Sequence, residues 1–294
     1  MSLRRLCGTA TAFALALMLA APAIAAAAEE EDKFDPSVEF KTTPYVSIHL
    51  GPLDMSINKA VIYLLLAAGI CIGVGIFVIR GGLRMRPTRA QNVVELAYEF
   101  AEQSIARPTL SDKVFSRYFP YIATLFMFIA VSNLISFIPL PVGHESSLPG
   151  GLPDFALYAA TANINVTLAL TIVTFLIYNY EGIRAHGPLG YLKTLIPEAP
   201  GAIKPFIFAL ELLSQLLRLV SLSVRLFANL LAGHLLIIMC AGFVVLLGNY
   251  AGLIAIPVGV FFYVFEWVLI AGLQAFIFAM LSGIYIGFAV ESSH

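Results

Sequence analysis

Charge is scarce in this chain. Only 12% of its 294 residues are Asp, Glu, Lys or Arg, whereas 60% are hydrophobic, and the mean hydropathy is +0.89. This composition is too apolar for a soluble domain of this length, and several runs reach the roughly 20 apolar residues that a membrane helix needs. The sequence therefore predicts an all-α polytopic membrane protein.

Basic clusters interleaved with stacking aromatics are also lacking, and the net charge is −1, so nothing indicates nucleic-acid binding. Cysteine is rare as well. Cys7, Cys71 and Cys240 stand far apart, without the spacing of metal ligands, and are interpreted as small buried hydrophobic residues. We expect no disulfide, no metal and no cofactor.

The first segment has the pattern of a secretory signal. Arg4 and Arg5 precede an Ala/Leu-rich run, which is followed by the small-residue sequence Ala23-Ile24-Ala25. We predict a signal peptide at 1–28, an acidic extracytoplasmic segment at 29–58 and a membrane domain at 59–294. The alternative is that the first segment is an uncleaved additional membrane helix.

Basic residues predict the topology. An apolar span follows Lys59 and runs to Ile79, and four arginines then crowd into ten residues, which places that end in the cytoplasm. The stretch from about Ala90 to Ala106 carries three glutamates among apolar residues. It is typical of an amphipathic helix lying at the inner surface.

Two further spans are predicted near 119–138 and 155–180. The loop between them holds Glu145 and Asp154 but no Lys or Arg, so it should lie outside. The next loop holds Arg184, Lys193 and Lys204 and should lie inside. The N-terminus of the membrane domain is then outside and the C-terminus cytoplasmic.

The last two apolar stretches, 205–247 and 252–290, are long. At a rise of about 1.5 Å per residue, 43 helical residues measure about 65 Å, roughly twice the hydrocarbon thickness. We therefore expect two long, strongly tilted and antiparallel helices. The complete prediction is about five membrane helices plus one interfacial amphipathic helix.

Polar side chains in the first long helix fall on one line. From Pro205 to Val290 the formally charged residues are Glu211, Arg218, Arg225 and Glu266. With about 100° of turn per residue, five polar side chains lie within about 40° of Arg225 on one face: Glu211, Ser214, Arg218, Ser221 and Asn229. A cation near the bilayer centre costs at least about 2.5–3.5 kcal/mol. The line therefore predicts a functional surface.

Four short motifs resemble a known family. Ser221 to His234, which reads SLSVRLFANLLAGH, is similar to the signature of the a subunit (subunit 6) of F-type ATP synthases. Leu273 to Phe278 resembles the second signature of that family. Asn133-Leu134 with Pro139, and Asn163 to Thr167, are similar to its middle spans. The likeness covers roughly residues 45 to 290.

The resemblance implies a function. A member of this family is the stationary proton-channel subunit of the synthase and has no catalytic site of its own. It conducts H⁺ through two offset half-channels to and from the carboxylates of a c-subunit ring, and so couples proton flow to rotation and ATP synthesis. The implied partners are the c ring, the b subunits of the peripheral stalk, the rest of the synthase and membrane lipid. Together with the signal segment, the implied location is a bacterial inner membrane.

The resemblance also implies roles for single residues. Arg225 matches the essential charge that separates the half-channels. Glu211 and Ser214 match the inner half-channel, and Arg218 and Ser221 share its wet face. His234 and Glu266 match an exchanging ionisable pair of the outer half-channel, although Glu266 stands eight residues before Gln274 and the family pattern has seven. Asn229 and Gln274 are amides that hold water or fix side chains, and weaker candidates for the outer channel wall are Asn163, Asn165 and Thr167.

Each of these functional roles has a purely structural alternative. Glu211 and Arg218 can form a purely structural clasp, and His234 can be a buried, satisfied histidine. For the whole chain, a secondary ion-coupled transporter would show inverted repeats, which are not found, and a structural scaffold would not need an aligned charge stripe. We also expect that no acidic side chain of this chain neutralises Arg225, and that His234 lies close to Glu266.

Overall fold

A computed structural model describes residues 47, 49–50, 53–54, 56–80, 88–138, 158–194, 203–247 and 250–291. The predicted signal segment, most of the acidic segment, Cys7, and the loop with Glu145 and Asp154 lie outside the described residues. Within the described residues, five helices are long and apolar enough to cross a membrane. The predicted all-α polytopic fold is confirmed.

The first described elements are two short strands and a membrane helix. Strand β1 (His49–Leu50) pairs antiparallel with β2 (Leu53–Asp54). Helix α1 (Lys59–Arg80) follows, and the Asn58 side chain accepts a hydrogen bond from the amide of Val61 at 3.1 Å. Most of the large apolar side chains of α1 are exposed, so this helix presents an apolar surface to its surroundings.

The predicted amphipathic helix is confirmed. Helix α2 (Arg89–Phe100) begins at the N-cap Thr88, continues as a π-helix (Ala101–Ala106) and ends with the turn Arg107–Thr109. Its exposed apolar side chains include Val93 and Leu96. A helix with a polar face and exposed apolar residues is suited to the membrane interface, which remains its predicted place.

Two predicted helix boundaries need correction. Helix α3 (Asp112–Ile135) begins before the predicted residue 119, at the N-cap Ser111. The negative charge of Asp112 in the first turn stabilises this start, because the N-terminal end of the helix dipole is positive. Helix α4 (Ile164–His186) begins after the predicted residue 155, because the Asn163 side chain caps it by accepting from the amide of Asn165 at 3.0 Å. A 3₁₀ turn (Ala160–Ala162) precedes that cap.

The remaining helices include the two long ones. Helix α5 (Pro188–Thr194) is short, and α6 (Lys204–Leu247) is long. The second long element consists of α7 (Tyr250–Phe265) and α8 (Ala271–Glu291), which are joined by a π turn (Glu266–Ile270). The apolar stretches of the two long elements contain 40 and 36 residues. Both stretches exceed the roughly 20 residues that cross the hydrocarbon upright, and the strong tilt of these helices stays a prediction.

Contacts along α6 and α8 show that the two helices run antiparallel. The Arg218 guanidinium lies 5.9 Å from the ring centre of Tyr285, and His234 bonds to Glu266 just before α8. Residue numbers thus rise along α6 as they fall along its partner. Between these ends, buried residues of α6, α8 and α3 share one cluster, which includes Leu222, Leu226, Leu230, Ala275, Phe278, Leu125 and Ile129.

The chain divides into two compact units. The described residues of the larger unit lie at 47–138, 158–194, 203–234 and 263–291, and those of the smaller unit at 235–247 and 250–262. In the smaller unit, a Cβ on Gly259 would lie 3.3 Å from the Cβ of Cys240, so the two helical segments approach closely there. Every candidate site residue belongs to the larger unit.

Asn133 ties three elements of the larger unit together. Its side chain is fully buried, donates to the carbonyl of Ala271 at 3.0 Å and accepts from the hydroxyl of Thr161 at 2.7 Å. The end of α3, the 3₁₀ turn and the start of α8 thus meet at one amide. A buried polar group is stabilising only while its partners remain.

We predict that Asn133→Ala destabilises the protein by roughly 1–3 kcal/mol, because the buried Thr161 hydroxyl and Ala271 carbonyl lose their partner. Thermal unfolding of the purified protein measures the change. Asn165→Ala is the matched control, since the Asn165 side chain is exposed. Equal unfolding temperatures for the two variants would contradict the prediction.

Candidate functional site

Arg225 lies on α6 and its side chain is exposed. Within the part of the chain that the structure describes, it has no ion-pair or hydrogen-bond partner. Glu211 and Glu266, the two acidic residues predicted to lie near it, instead contact Arg218 and His234. A guanidinium in an apolar surface is costly unless water or an anion of another molecule reaches it.

The other polar residues of α6 lie on the same side. We call Glu211, Ser214, Arg218, Ser221, Arg225 and Asn229 the polar stripe. Ser221, Arg225 and Asn229 are exposed, and the other three are partly buried. The adjacent side of the helix, about 60–140° from Arg225, carries the buried leucines of α6 that pack against α3 and α8. The polar stripe is therefore a surface feature of the chain, beside a well-packed interior.

Glu211 and Arg218 form a loose pair within the polar stripe. Arg218 Nη2 lies 3.7 Å from Glu211 Oε1, and their side chains are 38% and 31% exposed. A partly exposed pair at this distance contributes little to stability, about 0–1 kcal/mol. Gln215 Nε2 also donates to Glu211 Oε1, at 3.3 Å. Glu211 and Arg218 are thus close enough for a structural pair, and both charged groups remain partly exposed at the surface.

His234 and Glu266 form a close buried pair. The distance from His234 Nδ1 to Glu266 Oε1 is 2.7 Å, and the side chains are only 4% and 2% exposed. Their expected approach is confirmed. His234 Nε2 and Glu266 Oε2 are buried and have no hydrogen-bond partner among the described residues. Since buried polar atoms are normally hydrogen-bonded, each member keeps one polar atom for a further bond.

A π turn presents Glu266 to His234. The amide of Ala271 donates to the carbonyl of Glu266, which closes a wider turn than in an α-helix. This turn takes up one extra residue. The eight residues from Glu266 to Gln274 then span the rotation of seven regular steps, which leaves the two side chains within about 20° of one face. The unusual spacing in the sequence thus has a structural explanation.

Neighbouring groups hold the pair in place. The Phe137 ring lies 5.2 Å from the His234 ring, and the Tyr263 hydroxyl donates to the carbonyl of Phe137 at 2.9 Å. A Cβ on Gly233 would overlap the Cδ and Oε1 atoms of Glu266. An alanine at 233 would therefore force the buried carboxylate to shift.

The remaining predicted residues are more scattered. Gln274 is 6% exposed, on α8. Asn163 is a helix cap, Asn165 is exposed, and the buried Thr167 donates its hydroxyl to the carbonyl of Ile164 at 3.1 Å. Among the described residues no hydrogen bond or ion pair joins these last three to His234 or Glu266.

Sequence reasoning missed three polar residues of α4 and α6. The predicted span ended at Tyr180 and placed Glu181 in a loop, whereas the structure places it in α4, where the Tyr118 hydroxyl donates to it at 2.6 Å. Tyr178 donates to Gln215 Oε1, also at 2.6 Å. Gln215 lies about 80° from Arg225 around the helix, so a search limited to the polar stripe passes over it.

The fold and the site define a class, a polytopic helical membrane protein with a buried His–Glu pair and an exposed arginine that has no partner among the described residues. The family model of the ATP synthase A chain matches residues 61–287. ATP synthase subunit a of Bradyrhizobium diazoefficiens is 34% identical over 271 residues, which is 89% of this chain and 100% of that protein. Subunit a 1 of Brucella anthropi and subunit a of Brucella ovis are 34% and 33% identical, each over 88% of this chain and 99% of the relative. The chain belongs to the ATP synthase a-subunit family.

We predict that Gly233→Ala displaces the Glu266 carboxylate and separates it from His234, at a cost of about 1–3 kcal/mol. Thermal unfolding measures the loss. Gly272→Ala is the matched control, because a Cβ at Gly272 meets nothing within 4 Å. Adding Glu266→Asp should restore part of the stability, since the shorter side chain withdraws from the new methyl group. Equal stability of the two alanine variants would refute the overlap.

Proposed function

We propose that this chain is the stationary proton-conducting subunit of an F-type ATP synthase in a bacterial inner membrane. Protons pass through two offset half-channels to and from the carboxylates of a c-subunit ring, so that proton flow drives rotation and ATP synthesis. The observation that carries the proposal is the exposed Arg225, which has no partner among the described residues. Membership of the a-subunit family supports it.

Arg225 is the charge that separates the half-channels. A fixed cation attracts a deprotonated ring carboxylate and disfavours its protonated form, so a passing carboxylate releases its proton there. The same cation prevents a proton from moving directly between the half-channels. This matters because each charge that crosses 100 mV carries about 2.3 kcal/mol. A leak past Arg225 would dissipate that free energy without rotation.

The cytoplasmic half of the polar stripe forms the inner half-channel. Glu211 and Arg218 are paired loosely and remain partly exposed, so water can reach both groups. Along the helix, Ser214 supplies a hydroxyl between Glu211 and Arg218, and Ser221 supplies one between Arg218 and Arg225. A tight buried clasp would not leave the carboxylate accessible in this way.

His234 and Glu266 form the core of the outer half-channel. A proton moves along the 2.7 Å contact between Nδ1 and Oε1, while Nε2 and Oε2 provide the entry and exit atoms. Histidine suits this exchange because one ring nitrogen can accept a proton while the other donates one. Gln274 and Asn229 line the continuation of this path, and Asn163, Asn165 and Thr167 remain weaker candidates for its far wall.

The partners follow from the exposed surfaces. The c ring faces the polar stripe and supplies the carboxylate that Arg225 lacks within the described chain. The b subunits of the peripheral stalk contact other membrane faces, and lipid covers the rest. The N-terminus of the membrane domain lies outside and its C-terminus in the cytoplasm. The chain has no catalytic site of its own in this scheme.

We predict that Arg225→Ala and Arg225→Gln abolish ATP-driven proton pumping by the reconstituted synthase, because the ring carboxylate loses its electrostatic partner. Arg225→Lys should fail as well, since an ammonium does not reproduce the planar guanidinium. Arg184→Gln is the control, because Arg184 is an exposed arginine in the last turn of α4. Pumping near the unsubstituted level in Arg225→Ala would contradict the proposed mechanism.

A second prediction concerns the outer pair. His234→Ala should slow proton flux by roughly 10- to 100-fold and change its pH dependence, because Glu266 loses its exchange partner. Co-purification with the c ring should persist. His186→Ala, at the end of α4, is the matched control. Unchanged flux together with lost assembly would show that His234 is a packing residue.

A further inference from the structure

A hydrogen-bonded chain leads from α4 to Glu211. The Tyr178 hydroxyl is 2.6 Å from Gln215 Oε1, and Gln215 Nε2 is 3.3 Å from Glu211 Oε1. Tyr178 is 4% exposed and Gln215 is 9% exposed, whereas Glu211 reaches the surface of α6. The chain therefore connects a buried hydroxyl to an accessible carboxylate through one amide.

The amide of Gln215 is directional. It offers one acceptor oxygen and one donor NH₂ group. When Tyr178 donates to the oxygen, the NH₂ group faces Glu211 and bonds to an ionised carboxylate, which only accepts. A protonated Glu211 that donates to Gln215 needs the opposite orientation, and Tyr178 must then accept. The observed orientation places a donor on Glu211, and such a donor bonds more strongly to an ionised carboxylate than to a neutral carboxyl group.

Other charged and polar groups also lie near Glu211. Arg218 lies on the same helix, and Tyr285 of α8 lies beside Arg218. From α5, Tyr191 interacts with the charges of both Glu211 and Arg218. Burial raises the pKa of Tyr191, Arg218 lowers it and Glu211 raises it. Tyr178 differs from these groups because it acts on Glu211 through Gln215.

We propose that Tyr178 is a positioning residue for Glu211. Through Gln215 it keeps a hydrogen-bond donor on the carboxylate and so favours the ionised form, which takes up protons from the cytoplasmic side. This inference rests on the proposed place of Glu211 in the inner half-channel. The Gln215 amide does not titrate, so this hydrogen-bonded chain orients Glu211 and does not itself conduct protons.

The test compares Tyr178→Phe, Glu211→Gln and the double variant in the reconstituted holoenzyme. ATP-driven proton pumping is measured against the pH on the ATP side. Tyr178→Phe should lower pumping by about 3- to 10-fold near neutral pH, the effect of about one hydrogen bond. The profile should also move to higher pH, because a carboxylate that has lost a donor keeps its proton at higher pH. In the Glu211→Gln background, Tyr178→Phe should change nothing further.

Two variants complete the design. Tyr180→Phe makes the same chemical change at an exposed neighbour on α4 and should pump like the unsubstituted enzyme. Gln215→Leu removes the donor directly and should reproduce the Tyr178→Phe profile, so it carries the test if Tyr178→Phe fails to assemble.

The outcomes separate the two proposals. If Tyr178→Phe behaves like Tyr180→Phe, or if its effect adds fully to that of Glu211→Gln, Tyr178 is a packing residue and the inference fails while the channel stands. If Glu211→Gln itself pumps normally with an unchanged profile, Glu211 is not on the proton path, and the inference fails with it.

Discussion

Hydrocarbon solvates neither charges nor unpaired polar groups, and this constraint explains the arrangement of the described part of the chain. Several buried polar side chains are joined in pairs: His234 to Glu266, Tyr178 to Gln215, Tyr118 to Glu181. Arg225, in contrast, is exposed and has no partner among the described residues. In the proposed mechanism, a carboxylate of the c ring completes the site around this arginine.

The packing of α6 separates the polar stripe from the His–Glu pair. The buried leucines on one flank hold α6 against α3 and α8, which turns the polar stripe outward. His234, nine residues beyond Arg225, lies about half a turn away on the helix and is buried toward Glu266. Two ionisable sites on different sides of one rigid helix are the arrangement that two offset half-channels require.

Much of the fold could be predicted from the sequence because apolar runs of membrane length leave few alternatives. Caps and turns could not: hydropathy does not mark Asn163 as a helix cap, and it gives no sign of the π turn at Glu266. At the site, helical periodicity was sufficient for residues on one helix, such as the polar stripe. Tyr178 was missed because its bond to Gln215 joins two helices, and periodicity within one helix carries no information about its neighbours.

Because α6 is continuous from Arg225 to His234, the distance along the helix axis between these two residues is fixed. Nine residues of α-helix rise about 13.5 Å, and the two side chains point in opposite directions. A single hydrogen bond spans about 2.8 Å between heavy atoms, so in the proposed mechanism a proton needs a relay of about five bonds to pass from the pair to the depth of Arg225. In that mechanism the His–Glu pair lies on a hydrated proton path, about 13.5 Å along the helix from the depth of Arg225.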